Sequence, residues 1–215
     1  MARRSMGIVS AFLSVVALLA GLLSSMAVAS ASPDTDEAQV KELIAGQLTA
    51  LQAVDAVAYG ATYCADRRDK VESDHAAMFT PPSAKKLEGA NAKKLRAKIK
   101  ELFPVASSEA VEAFVQAVAD VDQGSVDAAW HQLWVSSFAK LSYRVKTVKV
   151  TGDSAVASVA VRVIGGESGN ARWDLTREDG QWKDCTPSSE QDSARGLVGG
   201  GQGQQSLLDA SQLGE

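Results

Sequence analysis

The spacing of the apolar residues changes once along this chain, at Leu141, and that change constrains the fold more than any other feature. Before it, Val40, Leu43, Ile44, Leu48, Leu51 and Val54 recur at three- and four-residue intervals, as one face of an α-helix does. After it, Ala157, Val159, Val161 and Val163 alternate with Ser158, Ala160 and Arg162, the pattern of a strand buried on one face. Helices come first and strands last. The expected class is therefore α+β, with N-terminal helices packed on a curved C-terminal antiparallel four-stranded meander.

The helical half divides at local signals. Asp34 with Glu37 has the spacing of a capping box, and the helix it opens is expected to run into the Tyr59 region, with Gly60 breaking or kinking it. Tyr63 and Cys64 fall on a second short helix or its entry. Leu95, Ile99, Leu102 and Phe103 share the face of a helix that stops at Pro104. Val111, Phe114, Val115, Val118 and Val121 share another, with Ser108 as its cap and Gly124 as its terminator. A last helix aligns Trp130, Leu133, Trp134, Ser137 and Phe138. From Leu141, four strand-like runs are separated by Gly-Asp, a Gly-rich loop and Asp179-Gly180, and connections this short make neighbouring strands antiparallel.

Residues 1–31 read as an export signal. Arg3 and Arg4 precede an apolar run from Ile8 to about Leu23, and Ala29-Ser30-Ala31 has the form of a cleavage site. The apolar run is shorter than the ~20 residues a spanning helix needs, so membrane attachment is expected only if this segment stays uncleaved. The domain then covers 32–187, and 188–215 is a Gly/Ser/Gln-rich tail with too little apolar content to order itself. The expected location is extracellular or in the cell envelope. The formal net charge is −4, and −6 once Arg3 and Arg4 are removed. With no basic block longer than a Lys-Lys pair, nucleic acid is not an expected partner.

Two cysteines, Cys64 and Cys185, are the whole thiol content. In an exported chain an even pair reads as a disulfide, and with His75 and His131 the only histidines a zinc set is not expected. Arg67 and Arg68 behind Cys64 would favour a thiolate, but an oxidising compartment and a second cysteine argue for the bridge. No metal or cofactor is expected. One geometric question stays open: strict alternation places Trp182 and Cys185 on opposite faces of the last strand.

Helices followed by a meander, with Cys64, "VKVTGDSAVASVAV" from Val148 to Val161, and "LTREDGQWKDC" from Leu175 to Cys185, resemble the nuclear transport factor two-like superfamily, and within it exported actinobacterial or other bacterial members of uncharacterised function. The resemblance covers about Val40 to Pro187. It implies a cone-shaped α+β fold, a cysteine after the first helical segment matched by one after the last-strand tryptophan, and a cleft between sheet and helices. The helical stretch from Ser83 to Lys140 is longer than a minimal member would carry.

That cleft frames the functional expectations. Tyr59, Tyr63, Trp130, Trp134, Tyr143 and Trp173 are the candidate pocket residues, for an apolar small molecule. The leading expectation is a non-enzymatic domain binding such a molecule or a protein partner, with homodimerisation through the open sheet face. A cavity enzyme of isomerase, dehydratase or hydrolase type would need Asp55, Tyr59, Tyr63, Tyr143 and Asp174 to converge, and no motif demands it. A purely structural interaction module is the third reading. "DVDQGSVDAAWH" fails as a calcium loop because Gly124, Ser125 and His131 stand where ligands and the turn glycine should be. No catalytic residue is assigned.

Overall fold

The computed structural model describes residues 35–187; the expected export signal, 1–31, and the expected tail, 188–215, lie outside the described residues. Among the described residues six α-helices precede four strands: α1 Asp36–Gln52, α2 Ala56–Gly60, α3 Ala65–Phe79, α4 Ala92–Leu102, α5 Ser108–Ala119 and α6 Gln123–Phe138, with a 3-10 turn at Ala84–Leu87 between α3 and α4. β1 Leu141–Thr151, β2 Ser154–Val163, β3 Ser168–Glu178 and β4 Gln181–Asp184 form one antiparallel sheet in the order β1-β2-β3-β4. The class is α+β, helices then meander, as the change of period requires.

The inner face of the sheet is built by alternation. Ala155, Ala157, Val159, Val161 and Val163 of β2 are buried, and register aligns them with Val150, Val148, Val145, Tyr143 and Leu141 of β1. A bulge between Val145 and Thr147 inserts Lys146 and keeps the valines on the inner side past it. The β3–β4 hairpin turns on Asp179 and Gly180, both at positive φ (51° and 78°), the backbone an Asp-Gly pair supplies for a two-residue loop.

α1 lies along this face, contacting β1 and β4; α6 packs on α1, α5 on α6 and α4 on α5. The predicted apolar faces of α4 and α6 are buried in full. Two helices, α1 and α5, differ from expectation at both ends. The cap of α1 is Thr35, whose hydroxyl accepts from Ala38 N–H, and α1 stops at Gln52, where Val54 takes positive φ (56°). The chain thus restarts as α2 on the carboxylate of Asp55, well before Gly60. Gly60 itself is needed for closeness: a Cβ there would come within 2.9 Å of Glu72 Cβ on α3. Likewise α5 is capped by Ser107 and ends at Ala119, Val121 taking the left-handed backbone (φ 53°) while Gly124 sits inside the first turn of α6. Val121 therefore leaves the apolar face it was expected to join and is 40% exposed.

Candidate functional site

Cys64 and Cys185 are disulfide-bonded, with Cα atoms 5.3 Å apart. The open question about β4 resolves at its edge. Trp182 is paired with Arg177 and Asp184 with Leu175, so both face the helices, and the strand ends at Asp184. The segment entering α3 runs alongside: Asp184 N–H donates to Thr62 O (2.9 Å) and Cys64 N–H to Asp184 O (3.1 Å), a parallel bridge centred on Tyr63. Cys185 therefore meets its partner sideways across the sheet edge, and Trp182 keeps the core face. Alternation holds, because the bridge lies at the edge of the sheet.

Behind this edge lies a connected group of polar side chains. Trp173 Nε1 donates to Gln47 Oε1 (2.9 Å), and Gln47 Nε2 donates to Asp184 Oδ2 (2.9 Å). Thr186 N–H donates to Asp184 Oδ1 (2.9 Å), and Thr186 Oγ1 accepts from Asp174 N–H (2.8 Å). Gln47, Asp184 and Thr186 are all buried. Burial raises the Asp184 carboxyl above its ordinary range; the hydrogen bonds from Thr186 and Gln47 and the charge of Arg67 pull against that and do not overcome it.

The six candidate pocket residues separate into three packed groups. Tyr63 Oη donates to Tyr59 Oη at 2.6 Å, and the Tyr59 ring lies 4.3 Å from that of the buried His75. Trp130 and Trp134 pack edge-to-face with Phe103, at 5.2 and 4.9 Å between centroids, in a cluster that also includes Phe114. Tyr143 and Trp173 meet on the inner sheet face at 5.6 Å. Phe79 links the first two groups through its contacts with His75 and Trp134.

The acids named for a proton-handling site do not join these groups. Asp55 is exposed and accepts from Ala58 N–H as the cap of α2. Asp174 stands opposite Val156 on the outer face of the sheet, where it pairs with Arg172, whereas Tyr143 is on the inner face. His131 is exposed on α6. Among the described residues, Cys64, Glu178 and Cys185 group closely enough to suggest a metal, but both sulfurs are in the disulfide and Glu178 accepts from Ala65 N–H. One carboxylate is left, which holds no ion by itself.

Gln47, His75, Asp184 and Thr186 were not anticipated. For Gln47 a signal existed: it continues the buried row of Val40, Ile44 and Leu51 on α1, so a polar residue occupies an apolar register. Asp184 likewise shares the parity of Trp182. Among the described residues no helix is long and apolar enough to cross a membrane. Comparison with known protein families and with curated proteins gave no match to this chain.

Proposed function

We propose that this chain is an exported, disulfide-stapled, non-enzymatic domain of the nuclear transport factor two-like kind that engages a macromolecular partner at its surface. The observation that carries this reading is where the polar side chains go. A cavity enzyme needs an acid and a hydroxyl aimed at a shared space. Here Asp184 is bonded to Gln47 and Thr186, Tyr59 to Tyr63, Asp55 caps a helix, and Asp174 pairs with Arg172 across the sheet from Tyr143. Each of these acids and tyrosines is already partnered where it stands. The order of helices, meander and a cysteine staple supports the superfamily likeness, and the disulfide supports an oxidising compartment.

Native mass spectrometry of the protein recovered from the medium or envelope tests this. The expected mass is that of the polypeptide alone, with no retained small molecule. A stoichiometric apolar ligand that stays bound would overturn surface binding in favour of the cleft.

A further inference from the structure

The side of the sheet turned away from the helices is basic, although the chain as a whole is acidic. Arg144, Lys146 and Lys149 on β1, Arg162 on β2 and Arg172 on β3 are all exposed. Their registers set them in successive cross-strand rows: Arg162 beside Ser142 and Ser168, Arg144 beside Ala160, Arg172 beside Ser158, and Lys149 beside Val156. Alternate residues on a strand are about 6.8 Å apart, so the four rows make a strip roughly 20 Å long with a cation in each. Lys146, the bulge residue, reaches over β2 to donate to Asn170 Oδ1 at 2.6 Å. Between the cations, Val156, Ser158 and Ala160 form a low, half-buried floor. Asp174, held by Arg172, is the acid inside these rows; Asp153 and Glu167 are exposed in the turns at opposite ends.

We propose that this face binds a linear, phosphate-bearing polyanion laid along β2, with successive anionic groups against successive rows. The inference rests on the surface-binding reading above and names its partner. Charge complementarity selects an anion, and Arg144 and Arg162 carry the planar fork that suits phosphate oxygens, Arg172 turning its own to Asp174. A second copy stacked on the same face would oppose this strip to itself, like charge against like. A flat anionic bilayer would also meet the acids at both ends of the strands, whereas a narrow chain along the middle avoids them. Single-stranded nucleic acid is held on open sheets by aromatic stacking, and here the sheet aromatics Tyr143, Trp173 and Trp182 are on the inner face. What the face offers is charge at regular intervals.

Short-chain inorganic polyphosphate is the probe, titrated into the full secreted protein. With about four phosphate contacts, affinity should fall roughly 50-fold between about 50 and 200 mM salt. Arg144→Glu/Lys149→Glu should weaken binding by about tenfold or more and flatten the salt slope. Lys93→Glu/Lys100→Glu on α4, which changes net charge equally at exposed positions, should stay within about twofold of the parent. Near-ultraviolet circular dichroism checks that both variants are folded. Absence of binding at low salt, or equal losses in both variants, would overturn the proposal. So would tighter binding of polyglutamate, of a single-stranded oligonucleotide or of phosphatidylglycerol vesicles, each of which identifies a different partner. A small molecule retained in the interior would overturn the surface-binding reading alone, since the mass measurement is independent of the titration.

Discussion

Gln47 is oriented by its neighbours. The indole of Trp173 can only donate, so Gln47 must present its carbonyl oxygen to it and its amide nitrogen to Asp184, which must then accept. This direction fixes α1 against β3 and β4. It also places a carboxyl where burial favours its neutral form, and the sign of the pH dependence follows. An acid whose folded pKa is raised contributes most below its unfolded value, ordinarily 3.8, and that contribution is lost as pH rises through the folded value. The stability of the parent relative to Asp184→Asn should therefore decline between pH 4 and neutrality. Chemical denaturation of both proteins across that range measures it; a difference that is flat with pH, or that grows, would contradict the assignment. In the sequence, Asp184 looks like any strand aspartate near a turn. Only its parity with Trp182 hints at burial, and parity does not say that a glutamine 137 residues away completes the pair.

Helix ends are where reading the sequence and the folded chain part. Glycine is the usual left-handed residue after a helix, and Gly124 is the nearest glycine to the end of α5, yet Val121 takes that backbone, as Val54 does after α1. Both are β-branched, for which the left-handed region costs of the order of 1–2 kcal/mol. Packing of the flanking helices sets where the chain must turn, and the residue found there accepts the strain. Val121 is 40% exposed and buries little, so Val121→Gly should stabilise the protein by up to about 1 kcal/mol, after the extra entropy lost by glycine is deducted. A rise in Tm by calorimetry is the expected outcome, and a fall would show that the valine side chain packs more strongly than its exposure indicates. The buried face of β2, by contrast, was legible, because a period of two leaves one buried face and one register for it, whereas the bulge at Lys146 in β1 was not.

Across the whole molecule, the bridge from Cys64 to Cys185 spans 121 residues and ties the entry of α3 to the end of β4. It encloses α3 to α6 and the whole sheet, so it restrains the unfolded chain more than a local link would. Replacing both cysteines by serine should cost about 3–5 kcal/mol in unfolding free energy, with the same fold by circular dichroism. Urea titration gives the value; an unchanged midpoint would mean that the backbone bridge from Thr62 and Cys64 to Asp184 holds this edge alone. The β4 edge is thereby covered at Asp184, and β1 forms the opposite edge of the sheet.

The sequence by itself determined the class, the number and order of the strands, the inner faces of α4, α6 and β2, and the pairing of the two cysteines. These follow from local periodicity, turn chemistry and a count of two, all of which act over a few residues or admit one solution. Tertiary structure alone decided that the disulfide lies beside the sheet, that Gln47 and Asp184 meet, that the aromatic candidates separate into packed groups, and that five cations from three strands share one face. Those are relations between residues far apart in sequence, set by strand register and helix docking, and no short-range pattern records them.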